Sequence, residues 1–204
     1  MPKRQSARSA IPDVWLVSDA RNDAALETAL ARLPRGSGLI FRHYHLGAKE
    51  RRARFAALSR VARRHGHFVA LSGDARQARR WGADGAYGAA SSLAPGPAVY
   101  RLVTAHSLRE IAGAQRMRAD AILLSPVHAT RSHPGTRPLG TTGFRLLAMR
   151  ARVPVIALGG MNASRAQAMQ RNVSAAEIRA SIDRKVERIR QQVKIEQRRK
   201  GKSE

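Results

Sequence analysis

Between Ser125 and Gly135 the chain carries the hydroxyls of Ser125, Thr130 and Ser132, the imidazoles of His128 and His133, and the guanidinium of Arg131. Hydroxyl donors beside a fixed positive charge suit a phosphate or diphosphate oxygen, because they spread its negative charge over directed hydrogen bonds. The imidazoles add groups that titrate near neutrality and can move a proton. Further along, Gly159-Gly160 follows an apolar run. Paired glycines let backbone N–H groups approach an anion with no Cβ in the way.

Both groups sit where a strand ends. The runs Ala121-Ile122-Leu123-Leu124 and Val153-Pro154-Val155-Ile156-Ala157-Leu158 read as fully buried parallel strands, each opening at its C-terminal end into anion-binding chemistry. Earlier strand signals are Val14–Ser18, Gly38–Arg42, His67–Leu71, Gly85–Tyr87 and Arg101–Ala105. Helical patterns lie between them over 23–33, 48–65, 74–81, 107–117 and 142–152, with a further helix opening at Ser164 as its N-cap. Strands alternating with helices imply right-handed βαβ units, and seven in series favour a closed barrel over an open sheet. The fold class is therefore α/β, a TIM-type (β/α) barrel without a recognisable eighth strand, plus a basic C-terminal helix. No internal repeat is visible in the residues.

Two segments follow from this: a barrel over residues 11–170 and a basic tail over 171–204. In the tail Ile178, Ile182, Val186, Ile189 and Val193 fall at helical spacing, with no strand signal. The tail either replaces the missing unit or is a fused or frame-diverged end. Without an eighth strand, the first and seventh strands leave unpaired edges that the tail or a second copy of the chain could cover.

Composition narrows the classes. A chain of 204 residues without cysteine excludes disulfides, thiolate metal sites and thiol nucleophiles. No apolar stretch approaches the roughly 20 residues that span a bilayer, and Met1–Ala10 lacks the apolar core of a secretory signal, so a cytoplasmic location is expected. The formal net charge is +24. It reads either as Arg-rich solvated helix faces (Arg51-Arg52, Arg63-Arg64, Arg79-Arg80) or as attraction to nucleic acid or an anionic membrane through the basic tail. Basic residues are not interleaved with stacking aromatics, as single-strand binders need. Trp15 and Trp81 read as packing residues.

In order and spacing, several blocks together resemble the thiamine phosphate synthase/TenI superfamily. They are Val14–Asp19, Leu39–Arg42, Gly82–Gly88, Thr104–Ser107, the Ser125–Gly135 loop and Val155–Met161. The resemblance implies a TIM barrel that couples hydroxymethylpyrimidine diphosphate to thiazole phosphate and releases pyrophosphate. It further implies that Thr104, Thr130 and Ser132 donate to the diphosphate, that Arg42 is its guanidinium partner, and that Gly159 and Gly160 present N–H groups to the thiazole phosphate.

The family also implies Mg²⁺. Its Asn-Asp pair after the third strand aligns with Ser72-Gly73, and its second metal Asp falls among Ala90, Ser91 and Ser92. The expected carboxylate ligands are therefore absent, with Asp74, one residue late, the nearest substitute. Two family lysines are replaced by Tyr44 and His133. His43, His45, His106, His128 and His133 crowd the expected mouth. His128 and His133 are the candidate proton-transfer groups; His43 and His45 read as alternating outward at a strand end, and His106 as capping a helix. The alternative function is a TenI-like relative, or one that binds thiazole or thiamine phosphate without catalysis.

Overall fold

The computed structural model of the protein describes residues 11–93, 96–130 and 135–170. Seven strands lie parallel and in chain order: β1 (Trp15–Val17), β2 (Gly38–Phe41), β3 (Phe68–Ser72), β4 (Gly85–Ala89), β5 (Tyr100–Ala105), β6 (Ala121–Leu124) and β7 (Val155–Ala157). Helices α1 (Leu26–Arg32), α2 (Ala48–Arg64), α3 (Ala75–Trp81), α4 (Leu108–Arg116), α5 (Gly140–Ala148) and α6 (Ala163–Gln170) follow every strand except β4.

Side-chain alternation splits the core into two layers. Leu39, Phe41, Val69, Leu71, Ala86, Val103, Ile122 and Leu124 pack outward against the helices, with Leu26, Leu30, Phe55, Leu58 and Ile111. Ile40, Ala70, Tyr87, Leu102, Ala121 and Leu123 face the barrel interior together with Trp15, Val17, Phe68 and Ile156. Burial on both faces explains why β2 and β6 read as continuous apolar runs. Aromatics are scarce in the chain but floor the barrel. The Trp15 and Phe68 rings meet edge to face at 5.5 Å, and Phe68 and Tyr100 at 5.2 Å. Gly38 must be glycine because a Cβ there would lie 2.3 Å from the Trp15 ring.

Among the described residues β1 pairs only with β2, and β7 only with β6, so these two strands are the edges of the described wall. Among the described residues no eighth strand closes it. The tail expected as a basic helix, 171–204, lies outside the described residues.

Strand ends shift by one or two residues from the sequence reading, and three helix ends differ for a local reason. The helix expected over 23–33 begins as a 3-10 segment, Ala20–Ala25, because Asp19 caps its start and Asn22 returns a bond to the Asp19 N–H at 2.8 Å. The helix expected over 142–152 spans Gly140–Ala148 and decays through the i→i+3 turns of Arg150 and Ala151, ahead of Pro154. α6 is capped by Asn162, whose Oδ1 accepts the Arg165 N–H at 2.9 Å, and not by Ser164.

A local device also recurs where no repeat was visible. After α3 and α4 a left-handed residue (Gly82, φ 74; Arg118, φ 58) leads to a buried Ala and then an Asp. Asp84 accepts the Val69 N–H, and Asp120 the Arg101 N–H, each at 2.8 Å, which pins the start of β4 and β6 to the preceding strand.

Candidate functional site

The period-two rule that places Ile40, Ala70, Leu102 and Leu123 inside the barrel carries Arg42, Ser72, Thr104 and Ser125 to its C-terminal mouth. A cleft of about 1270 Å³ opens there and runs into the gap between β1 and β7. That gap makes it larger than a closed small-molecule pocket. Arg42, Thr104, Thr130, Gly159 and Gly160 line it, with Tyr44, Tyr87, His106 and Ser125.

The loops after β6 and β7 are stitched together. Val127 N–H donates to Leu158 O at 2.9 Å, and His128 N–H to Gly159 O at 3.1 Å. Both glycines have positive φ, 89° and 62°. A Cβ on Gly159 would lie 2.9 Å from Pro126, and one on Gly160 2.6 Å from Ala129 O and 2.8 Å from His128 Cβ. The glycine pair therefore lets one loop lie on the other. Among the described residues neither glycine N–H has an acceptor. Arg165 on α6 donates to Gly160 O and adds a positive charge beside the loop.

The end of β2 is held from behind. His43 is 1% exposed, has φ 35° and stacks on Phe41 at 4.6 Å between ring centres. Its Nε2–H donates to Asp23 at 2.7 Å, and its Nδ1 lies 2.8 Å from the Ser18 hydroxyl, which also accepts the Arg42 N–H at 2.9 Å. A left-handed histidine is strained, and this fixed set of partners sustains it. His43 thus braces the backbone that presents Arg42; it does not point outward. His45 is exposed, its ring 5.2 Å from that of His43.

Two guanidinium groups lie near the Tyr44 ring. The Arg42 carbon lies 5.3 Å from the ring centre and that of Arg51 5.7 Å. Arg42 Nε is buried without a hydrogen-bond partner. Arg51 Nε donates to Arg42 O at 3.0 Å and Nη2 to Ser72 O at 2.6 Å, tying β2 to β3. Burial pulls the Arg51 pKa down from its ordinary value, yet a guanidinium keeps its proton. The Tyr44 hydroxyl is bonded to Ser72 Oγ. Burial pushes the Tyr87 phenol up to about 12, so it stays neutral.

The residues at these strand ends do not fit Mg²⁺, which needs oxygen ligands with carboxylates among them. The ends of β3 and β4 offer Ser72, Gly73, Ala89 and Ala90. The carboxylates around the rim are engaged elsewhere. Asp19 is held by Arg21 at 2.7 Å, and that hydrogen bond lowers its pKa to about 2. Asp23 is taken by His43 and Arg54. Asp74, the nearest substitute in the sequence, caps α3 through Gln77 N–H at 2.7 Å. Among the described residues no cluster of three His, Cys, Asp or Glu side chains could hold a metal ion.

Of the residues singled out in the sequence, Arg42, Thr104, Thr130, Gly159 and Gly160 come together on one cleft. Ser132 and His133 lie outside the described residues. His128 is absent from the cleft lining and packs behind Gly160; burial, then the charge of Arg165, lowers its pKa. His106 takes the place on the cleft expected of His128. Its Nδ1 bonds to Ser125 O at 2.6 Å, and the cap of α4 is Ser107, not His106. Arg51 was missed as a site residue. It stands four residues before Phe55 on the stripe that continues through Leu58 and Ala62, so its spacing already marked it as facing the strands.

A family model for thiamine monophosphate synthase matches residues 14–180. The protein named "Putative thiamine-phosphate synthase 2" of Aquifex aeolicus is 40% identical over 58 residues, which are 28% of this chain and 31% of that protein. The thiamine-phosphate synthase of Chloroflexus aurantiacus is 34% identical over 70 residues, 34% of this chain and 32% of that protein. The matched stretch thus spans about a third of the length of each curated relative. A solved thiamine phosphate pyrophosphorylase from Pyrococcus furiosus superposes with a TM-score of 0.66 at 20% identity, covering 79% of this chain and 81% of that one, which establishes the shared fold. No helix among the described residues is long and apolar enough to cross a membrane. The match to the family model covers most of the sequence, and the chain belongs to the thiamine monophosphate synthase family.

Proposed function

We propose that this chain binds phosphorylated pyrimidine and thiazole compounds at the barrel mouth and joins them, coupling hydroxymethylpyrimidine diphosphate to thiazole phosphate. The methylene–oxygen bond of the diphosphate breaks, pyrophosphate leaves with the electron pair, and the thiazole nitrogen bonds to the methylene carbon. The observation that carries this reading is the convergence of Arg42, Thr104 and Thr130 with the Gly159–Gly160 turn on one cleft. Arg42 and the threonine hydroxyls hold the leaving diphosphate, and the glycine N–H groups hold the second phosphate. His106 lines the cleft with its Nδ1 bonded to Ser125 O at 2.6 Å, which fixes the ring at the cleft wall.

Incubation of the chain with both phosphates, with and without Mg²⁺, tests this: thiamine phosphate and pyrophosphate form in equal amounts. A second reading, binding without turnover, is favoured by the lack of carboxylates at the ends of β3 and β4. Calorimetric binding of thiamine phosphate with no product under any divalent ion selects that reading. Failure to bind either phosphate removes both.

A further inference from the structure

Among the described residues no carboxylate is hydrogen-bonded to the positive charge at the ends of β2 and β3. Arg51 is a half-buried guanidinium whose hydrogen bonds all go to backbone carbonyls, those of Arg42 and Ser72. It is packed against aromatic rings, 5.4 Å from the centre of Trp81 and 5.7 Å from that of Phe41. Arg42 leaves a buried Nε without an acceptor while lining the cleft. Asp19, which also lines the cleft, feels Arg42 electrostatically, but its oxygens are taken by Arg21 at 2.7 Å and 3.1 Å. Two half-buried cations with no bonded carboxylate among the described residues are unfavourable unless an anion arrives. The same strand ends lack the carboxylates that would instead hold a cation there.

We propose that Arg42, with Arg51 behind it and the Tyr44 ring against both, is a diphosphate site in which built-in guanidinium charge takes the place of a divalent metal. Arg42 contacts the anion. Arg51 is a positioning residue: it fixes the Arg42 carbonyl and the Tyr44 ring and adds its charge from beneath. Tyr44 cannot ligate Mg²⁺ as a carboxylate does, and its hydroxyl is already bonded to Ser72. This inference rests on the phosphate-ligand reading and adds to it the source of the counter-charge.

The test is calorimetry of inorganic pyrophosphate binding to the full chain, in EDTA and again in excess Mg²⁺. The dissociation constants agree within about threefold, since nothing in the site requires the metal. Arg51→Gln weakens binding about tenfold, the size of one charge-assisted interaction, and Arg51→Lys recovers most of the loss. Arg52→Gln, one position along α2 and exposed, changes nothing, which separates the site from the general positive charge of the chain. Should Arg51→Gln fail to fold by circular dichroism, the comparison of EDTA with Mg²⁺ on the unaltered chain decides alone. Binding that appears only with Mg²⁺ overturns the metal-free site and leaves the phosphate reading standing. Equal affinity for Arg51→Gln and the unaltered chain also overturns it. Absence of binding for pyrophosphate, thiazole phosphate and thiamine phosphate in both buffers removes this inference and the proposed function together.

Discussion

Replacing Gly160 by alanine probes the contact on which the cleft depends. Gly160 has φ 62°, and an added Cβ would sit 2.6 Å from Ala129 O and 2.8 Å from His128 Cβ, so the Pro126–Thr130 loop must retreat by several tenths of an ångström. A left-handed alanine costs about 1–2 kcal/mol. Overpacking against backbone adds about 1–3 kcal/mol, because the carbonyl cannot rotate away as a flexible side chain could. Gly36 supplies the control. Its φ is 83°, yet nothing lies within 4 Å of its Cβ position, so Gly36→Ala carries the backbone cost alone. At about 2–4 °C per kcal/mol for a chain of this size, Gly36→Ala lowers the melting temperature by about 2–8 °C and Gly160→Ala by about 4–20 °C. The assay is thermal unfolding followed by circular dichroism, with titration of thiamine phosphate alongside. Gly160→Ala also weakens that ligand, because retreat of the loop strains the His128 N–H to Gly159 O bond and shifts Thr130 on the cleft wall. Equal melting temperatures for the two variants, or undiminished ligand binding by Gly160→Ala, would refute the argument that the glycine pair exists to seat one loop on the other.

Other perturbations follow from the same geometry. His43→Ala costs about 2–4 kcal/mol in urea unfolding, because it strands the buried Ser18 hydroxyl and removes one partner of Asp23. Arg118→Gly, at an exposed φ of 58°, stabilises by about 0.5–1 kcal/mol, since glycine carries no left-handed penalty; an unchanged melting temperature counts against it. Asp19 has its pKa depressed to about 2 by Arg21, so its contribution is complete above the unfolded value of 3.8 and fades as the pH falls toward 2. The difference in melting temperature between the unaltered chain and Asp19→Asn therefore shrinks across that window and is constant above it. Gly73→Asp puts a carboxylate at the end of β3. It weakens pyrophosphate about tenfold in EDTA and makes binding respond to Mg²⁺.

The alternation of apolar strands with amphipathic helices was legible because two-sided burial leaves continuous Val, Leu, Ile and Ala runs, as in β2 and β6. The resemblance to the thiamine phosphate synthase/TenI superfamily singled out Arg42, Thr104, Thr130 and the glycine pair, and alternation along β2 and β5 accounts for Arg42 and Thr104 reaching the mouth. Loop residues were not legible in this way. His43 lies two residues past the end of β2, and extrapolating the alternation past Phe41 turned it outward, whereas its positive φ folds it under the mouth. His128, expected on the cleft, lies off it for a related reason. The β6 loop turns back over Gly160 and carries His128 away from the cleft, while His106 stays beside Ser125. Arg51 was hidden by abundance, one arginine in an Arg-rich helix, although its register with Phe55 and Leu58 set it apart. The Ala83-Asp84 and Ala119-Asp120 pairs were too short to register as a repeat until their bonds to Val69 and Arg101 showed the shared role.

The absence of carboxylates at the ends of β3 and β4 and the inward placement of Arg51 belong together physically. A divalent ion and a guanidinium both neutralise a diphosphate, but they make opposite demands on the strand ends: the ion needs anionic oxygens around it, the guanidinium needs them absent until the ligand brings them. With Ser72-Gly73 at the end of β3, Arg51 can reach the Ser72 carbonyl at 2.6 Å and lie among Phe41, Tyr44 and Trp81. A carboxylate at Gly73 would pair with it and cancel the charge the ligand is meant to meet. The two arrangements therefore exclude each other at this position. A chain with both Arg51 and an acidic residue at position 73 would serve neither chemistry well, which is why the response of Gly73→Asp to Mg²⁺, compared with Gly73→Asp carrying Arg51→Gln, distinguishes a guanidinium counter-charge from an arginine with only a structural role. If the guanidinium is the replacement, removing it from the Gly73→Asp chain strengthens the Mg²⁺ response; if Arg51 is merely structural, the two variants respond alike.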